Sequence, residues 1–377
     1  MTAVRARDLY KVFGKKPGEV VRRLKEGADR SELTGLGTAA VIDVNFDVEE
    51  GEIFVVMGLS GSGKSTLIRM INGLWKPTAG TVEVMGENIA ELDGKALRDL
   101  RARHVSMVFQ HFALLPHRTV RDNAAYALEI RGVPKEERLA SADRWLEKVG
   151  LQGWGDSLPG QLSGGMQQRV GLARALAAET DILLMDEAFS ALDPLIRSEM
   201  QDQLLQLQHD LHKTIIFISH DLNEAMKLGD RIAIMRDGRI AQIGTAHEIL
   251  TNPADAYVAE FIADVDRSRV LTAAEIMTPI EEFDAEERED TGSFPKVEAT
   301  DMVSELFEQS AAADGPLAVT DNGSVVGTVG AEDLVSAMAP PAEPAQPTQP
   351  AEPAAPAEPA EPAEPAPDST TDPRKEA

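Results

Sequence analysis

Five consecutive residues, Ile53-Phe54-Val55-Val56-Met57, carry no polar side chain, and similar runs return at Ile182-Leu183-Leu184-Met185 and Thr214-Ile215-Ile216-Phe217-Ile218. Unbroken apolar runs of this length, separated by stretches of helical spacing, predict a parallel sheet covered by helices on both faces. Arg231-Ile232-Ala233-Ile234-Met235 and Arg239-Ile240-Ala241-Gln242-Ile243 flank Asp237-Gly238, which predicts a hairpin. Residues 90–159 repeat at helical spacing with no strong strand and predict a helical subdomain at about 90–160. A second unit follows, with a boundary predicted at 263/264. There 301–312 predicts an amphipathic helix with Met302, Val303, Leu306 and Phe307 on its apolar face. Strands at 317–320 and 325–329 flank the turn Asp321-Asn322-Gly323-Ser324, and 331–338 closes as a helix. From 339 onward the pattern stops and Ala-Glu-Pro repeats, as in Pro356-Ala357-Glu358-Pro359-Ala360-Glu361-Pro362. Such a chain has little to bury and few backbone donors, which predicts a disordered, semi-extended tail over 339–377.

Composition adds exclusions. Of 377 residues, 43% are hydrophobic, enough for a large core. With no cysteine, disulfides and thiolate-held zinc or iron–sulfur centres are excluded. Met1-Thr2-Ala3-Val4-Arg5-Ala6-Arg7 has no apolar stretch behind it, and no run reaches the roughly 18 apolar residues of a membrane span. A soluble, cytosolic protein is expected. The formal net charge is −26. Residues 264–338 hold 18 acidic and 4 basic side chains, and 339–377 hold 8 and 2, so the large N-terminal part is only mildly acidic. That balance argues against nucleic acid as a partner, because phosphate contact needs positive surface.

The chemistry begins directly after the first apolar run. Gly58-Leu59-Ser60-Gly61-Ser62-Gly63-Lys64-Ser65 fits G-x-x-x-x-G-K-[ST], and Thr66-Leu67-Ile68 continues as a helix. The glycines let backbone N–H groups converge on phosphate oxygens, and the helix N-terminus adds its positive end. Lys64 neutralises β- and γ-phosphate charge, and the Ser65 hydroxyl suits Mg²⁺. A second feature is Asp181-Ile182-Leu183-Leu184-Met185-Asp186-Glu187, a strand ending in two carboxylates. Asp186 suits a magnesium ligand, and Glu187, pointing differently, suits polarising a water. Leu162-Ser163-Gly164-Gly165-Met166-Gln167 places a capping serine and two glycines at a helix start, a second surface for phosphate.

Together these motifs resemble the ATP-binding subunit of ATP-binding-cassette (ABC) transporters over about residues 5–262. Residues 162–167 resemble the family signature, and Gln110 in Val108-Phe109-Gln110 its Q-loop. Ser190-Ala191-Leu192-Asp193 resembles the D-loop, and His220 after Phe217-Ile218-Ser219 the switch histidine. The resemblance implies a P-loop NTPase cassette, a RecA-like α/β core with a helical subdomain, working as a head-to-tail homodimer. ATP then lies between residues 58–66 of one chain and Ser163, Gly164, Gly165 and Gln167 of the other, with Asp193 alongside. It further implies catalytic roles for Lys64, Glu187 and His220. Magnesium falls to Ser65, Gln110 and Asp186, and adenine stacking to Phe13, with Tyr10 as second choice.

The subfamily is narrowed by Leu9-Tyr10-Lys11-Val12-Phe13-Gly14-Lys15-Lys16-Pro17, the basic stretch Val20-Val21-Arg22-Arg23-Leu24-Lys25, and Met185-Asp186-Glu187-Ala188-Phe189-Ser190-Ala191-Leu192-Asp193-Pro194-Leu195-Ile196-Arg197. These are similar to importers of glycine betaine, proline betaine and other quaternary amines. That implies a transmembrane permease, a substrate-binding protein and a peripheral place on the cytoplasmic face of the cell membrane. The basic stretch reads either as a solvated surface helix or as a contact with anionic lipid or the permease. Residues 111–120 read as helical core or as a groove for a permease helix. Two other readings share the motifs: an importer for another small solute such as an amino acid, and a cassette outside transport. Residues 276–338 resemble one cystathionine-β-synthase-type (CBS) repeat, implying regulation or dimerisation. The ribose pattern of such repeats sets a hydroxyl three residues before an acid. Here Asp333 supplies the acid, but Gly330 stands where the hydroxyl belongs.

Overall fold

The three apolar runs lie side by side in one sheet of a computed structural model that describes residues 1–110, 112–280, 291–313 and 315–339. The strands are Thr2–Gly14 (β1), Gly37–Glu49 (β2), Ile53–Met57 (β3), Ala79–Val84 (β4), Glu87–Asn88 (β5), Val105–Val108 (β6), Ile182–Asp186 (β7), Thr214–Ile218 (β8), Arg231–Arg236 (β9), Arg239–Gly244 (β10), Thr278–Pro279 (β11), Lys296–Glu298 (β12), Leu317–Asp321 (β13) and Ser324–Val329 (β14). The central sheet has the order β10-β9-β3-β8-β7-β6, parallel from β9 to β6 with β10 closing a hairpin at one edge. An antiparallel sheet, β2-β1-β4-β5, covers one side.

Both faces of the central strands are buried, which is why they read as unbroken apolar runs. Phe54, Val56, Leu184 and Ile216 pack with Leu67, Ile68, Leu97 and Leu100 and with Val4, Val44 and Val82 of the antiparallel sheet. Phe46 stacks on Phe54 at 5.3 Å to join the two sheets. On the other face Val55, Met57, Leu183 and Ile215 share a core with Leu172, Leu176, Met200 and Leu204.

The helical subdomain begins later than the spacing predicts. Val105–Val108 is the edge strand β6, paired in parallel with β7 from Val105↔Ile182 to Val108↔Met185. Four residues are too few to interrupt the helical spacing around them. The preceding helix Gly94–His104 buries Leu97 and Leu100 on the main sheet. The subdomain is then built from Val120–Ala124, Tyr126–Ile130, Lys135–Lys148 and Gly164–Ala177.

Residues 15–36 form an insert with a small core of its own. Helix Pro17–Lys25 buries Val20, Val21 and Leu24, which meet Leu33, Tyr10, Val12, Ala39 and Ile42. Its basic face is not bare: Arg22 pairs with Glu26 at 2.7 Å, Arg23 with Glu19 at 3.1 Å and Lys16 with Glu19 at 3.3 Å. These exposed local ion pairs favour the reading as a solvated surface helix over a contact with anionic lipid or the permease.

The C-terminal segment has its own sheet, β11-β14-β13-β12, flanked by helices Val303–Ala312 and Ala331–Met338. The expected boundary at 263/264 meets a continuous interior, because Ile249, Leu250 and Val258 share one core with Leu271, Ala273 and Val303. The described residues fall in one compact unit. The Arg267 guanidinium donates to the carbonyls of Leu250 and Ala339, fastening helix Ala246–Thr251 to the end of this segment. Asp333 accepts from the Gly330 N–H at 2.7 Å, so one of its oxygens is spent on its own helix start. His111, residues 281–290 and Asp314 lie outside the described residues. So does 340–377, on which the predicted tail falls.

Candidate functional site

Neighbouring strands bring the motifs together. β8 lies between β3 and β7, with Ile218 opposite both Val56 and Asp186. The segments after Met57, Asp186 and Ile218 therefore leave the same sheet edge, where parallel α/β sheets hold ligands. Gly63 has φ +108° and precedes helix Lys64–Ile71. A Cβ there would sit 2.2 Å from the Ala40 carbonyl oxygen, so the turn needs glycine both for its dihedral and for space. The Lys64 side chain is only 6% exposed and donates to the carbonyls of Gly58 (2.7 Å) and Leu59 (3.1 Å), bent over the loop. Burial lowers its pKa, while Glu187 and Asp186 act the other way.

Ser65 donates to Asp186 at 3.4 Å. Burial pushes the Asp186 carboxyl up; Arg69 opposes this and Glu187 adds to it. Glu187 holds a left-handed φ of +47°, rare for a side chain of its size, and its N–H donates to the Ile218 carbonyl at 3.0 Å. That bend separates the two carboxylates. One oxygen of Glu187, Oε2, lies 3.2 Å from Gln110 Nε2 and 3.3 Å from His220 Nδ1. Gln110 also reaches Ser190 Oγ at 3.4 Å, and Ser190 donates to the Glu187 carbonyl at 2.9 Å. The structure thus gathers Lys64, Ser65, Gln110, Asp186, Glu187 and His220, six residues from four segments of chain.

Ser163, Gly164, Gly165 and Gln167 stand apart from that group. Ser163 caps helix Gly164–Ala177 by accepting from Met166 N–H at 3.3 Å, and Gln167 donates to the Leu162 carbonyl at 3.1 Å. A Cβ on Gly165 would fall 2.7 Å from Ile196 Cγ2, so this helix start is packed against helix Pro194–Leu211. Asp193 caps that second helix through Ile196 N–H at 3.1 Å. Phe13 is 38% exposed, edge-on to Trp75 at 5.0 Å. It pairs with Thr38, two residues from the Ala40 carbonyl that faces Gly63, which brings it beside the P-loop. Tyr10, the second choice, is 4% exposed within the insert's core and offers no free face, so that choice is corrected.

Residues 41–190 match the ABC transporter family model. The chain is 55% identical over 280 residues to the glycine betaine/carnitine transport ATP-binding protein of Listeria monocytogenes, covering 74% of this chain and 70% of that one. The chain belongs to the ABC transporter family. It is also 53% identical to the glycine betaine/proline betaine transport ATP-binding protein of Escherichia coli, over 72% of this chain and 68% of that one. A trimethylamine N-oxide transport ATP-binding protein of Pelagibacter ubique is 43% identical over 86% of this chain and 94% of its own length. Among solved structures, a dimeric ATP-binding cassette bound to ADP and Pi aligns with TM-score 0.56 and 31% identity. It covers 64% of this chain and 98% of that one. ATP-binding subunits of ABC transporters bind and hydrolyse ATP to power transport, form dimers and work with transmembrane permeases. No helix among the described residues is long and apolar enough to cross a membrane.

Three features of this ABC subunit escape motif reading. Arg69, one turn beyond Ser65, bears on Asp186; helical spacing alone signals it. Residues Asp29, Arg30, Ser31 and Thr34 of the insert wall a cleft of about 650 Å³ with Leu59, Ser60, Gly61 and Ser62, and no sequence signal foretells that meeting. Arg174 donates to the carbonyls of Phe112 (3.0 Å) and Ala113 (2.6 Å), two consecutive residues of positive φ just past the Q-loop.

Proposed function

We propose that this chain is the ATP-hydrolysing subunit of an importer for glycine betaine, proline betaine or a related quaternary-amine osmoprotectant. The convergence of Lys64, Asp186, Glu187, Gln110 and His220 at one sheet edge carries the ATPase reading. The substrate rests on the relatives named above. The Pelagibacter relative, similar over 86% of this chain, favours trimethylamine N-oxide as a second substrate reading. ATPase rates of the complex with its permease and substrate-binding protein, screened against betaines, choline, trimethylamine N-oxide and amino acids, decide between them. Stimulation by an amino acid alone would overturn the betaine reading.

In this reading Lys64 and the backbone N–H groups of 60–65 hold the β- and γ-phosphates. The donors for Mg²⁺ are the Ser65 hydroxyl, the Asp186 carboxylate and the Gln110 amide oxygen. Among the described residues no three His, Cys, Asp or Glu side chains gather as a protein-only cage. A hard oxygen set completed by phosphates and water is the habit of magnesium, so the residues fit it. Bound there, magnesium would neutralise charge building on the phosphate oxygens. Glu187 accepts the proton of the attacking water, and His220 donates to the γ-phosphate. Two chains associate head to tail, Ser163, Gly164 and Gly165 of each facing the P-loop of the other. The subunit sits on the cytoplasmic membrane face. The permease helix docks on the groove supplied by residues 111–120, directly after Gln110.

Phe13 stacks on adenine in this arrangement. Phe13→Ala weakens ATP binding about tenfold by losing that stacking. Tyr10→Ala instead lowers the melting temperature and leaves ATP affinity near normal, because Tyr10 is core. Nucleotide titration and thermal melts of both variants check this; equal loss of affinity in both would remove Phe13 from its role.

The segment 264–338 reads as a CBS-type regulatory unit, and its excess of 14 negative charges makes it a lever for ionic strength. Screening shortens from ~8 Å near 0.15 M salt to ~3 Å near 1 M. Truncation after Pro340 leaves the salt dependence of ATPase nearly intact. Truncation after Asp264 alters it, and also uncovers Ile249 and Leu250. Identical salt curves for the full chain and both truncations would place the sensor in the cassette or at the membrane.

A further inference from the structure

Glu224 is a buried acid with no part in the chemistry above. It is 5% exposed, on helix Leu222–Leu228, and burial pushes its carboxyl up. Its two oxygens are met from two directions. Ser219 Oγ donates to Oε2, and Gln201 Nε2 donates to Oε1 at 3.2 Å. Ser219 is the residue before His220. Asp221, the residue after it, accepts from the Glu224 N–H through Oδ1 at 3.2 Å and from Arg197 Nη1 through Oδ2 at 3.0 Å. The Asp221 N–H returns to Ser219 Oγ at 2.9 Å. Arg197 and Gln201 lie four residues apart, hence on one face of helix Pro194–Leu211, and Arg197 Nη2 also donates to the Leu192 carbonyl at 3.2 Å.

Both neighbours of His220 are thus fixed: the Ser219 N–H is held by the Val56 carbonyl of β3 at 3.2 Å, and the side-chain anchors from outside the loop and its helix come from the helix that the D-loop leads into. A buried carboxyl is costly unless hydrogen-bonded; both oxygens of Glu224 are met, which fixes its geometry closely, while Arg197 keeps a buried Nε without a partner. We propose that Glu224, with Gln201 and Arg197, positions His220 against Glu187 and ties that position to the D-loop at 190–193. This rests on the reading of Glu187 and His220 given above. A D-loop displaced at the dimer interface moves Arg197 and Gln201, and through them the histidine.

The test is single-turnover and steady-state ATPase of the complex. Glu224→Ala lowers kcat by about 10-fold to 100-fold, the scale of a misplaced catalytic group, with KM for ATP within about twofold. Glu224→Gln recovers most of the rate, because its amide still meets Ser219 and Gln201 once the Gln201 amide turns over. In a His220→Ala background, Glu224→Ala costs no more than about twofold, since no imidazole remains to be placed. If Glu224→Ala does not fold, Ser219→Ala is read in the same way. Equal losses in both backgrounds would show that the network only stabilises the fold and overturn the proposal, with the site reading intact. Near-normal activity of His220→Ala itself would overturn the site reading, and this proposal with it.

Discussion

Glu187→Gln retains ATP binding and loses hydrolysis by about 10²-fold or more, the scale of removing a positioned general base. The phosphate contacts are supplied elsewhere, by Lys64 bent over the loop and by the backbone of 60–65. The substitution keeps the size of the side chain and the left-handed backbone at φ +47°. It removes the negative charge at the point where Gln110 and His220 converge, 3.2 and 3.3 Å from one carboxylate oxygen. A neutral amide cannot take a proton from water. The variant dimer therefore closes on ATP and stays closed. Size-exclusion chromatography with ATP shows accumulated dimer, and single-turnover assays show the slow chemistry. Near-normal steady-state ATPase would remove Glu187 from its role.

Much of this site was legible because each motif is local. The P-loop, the acids ending β7 and the histidine after β8 all follow unbroken apolar runs, and the parallel sheet aligns their ends by itself. What stayed hidden depends on short elements, side-chain pairing and packing that no motif carries. Val105–Val108 is too short to leave a mark against helical neighbours, yet it forms the sheet edge that leads into Gln110. Tyr10 and Phe13 lie on the same strand, and their spacing does not say which is free; the insert's core buries the first and leaves the second open. Arg22 and Arg23 read as positive charge until Glu19 and Glu26, four residues away, are seen to pair with them. Exposed pairs of this kind contribute little to stability, but they remove a bare basic surface. The boundary expected at 263/264 followed a change in charge, whereas packing ignores that change: Leu250 and Leu271 lie in one core.

Composite sites give the other large effect. Lys64→Ala abolishes ATP binding at its own P-loop, because the β- and γ-phosphates lose their cation. Ser163→Arg leaves its own P-loop intact but spoils the surface offered to the partner. It removes the cap on Met166 N–H and sets a long cation where a phosphate is to be met. Within one chain, Ser163 makes only local hydrogen bonds, and its helix start is held against Ile196 rather than the P-loop. Each variant alone thus fails at both sites of a homodimer. In a mixed dimer the lesions fall together at one site, and the other keeps a sound P-loop facing a sound signature segment. Co-expression with two different tags isolates the mixed dimer, and ATP trapped per dimer in a Glu187→Gln background counts the sites. One occupied site per mixed dimer is the expected result. No trapped ATP would mean that each chain completes its own site, and two trapped ATP molecules would mean that Lys64 and Ser163 are dispensable; either outcome sinks the head-to-tail arrangement.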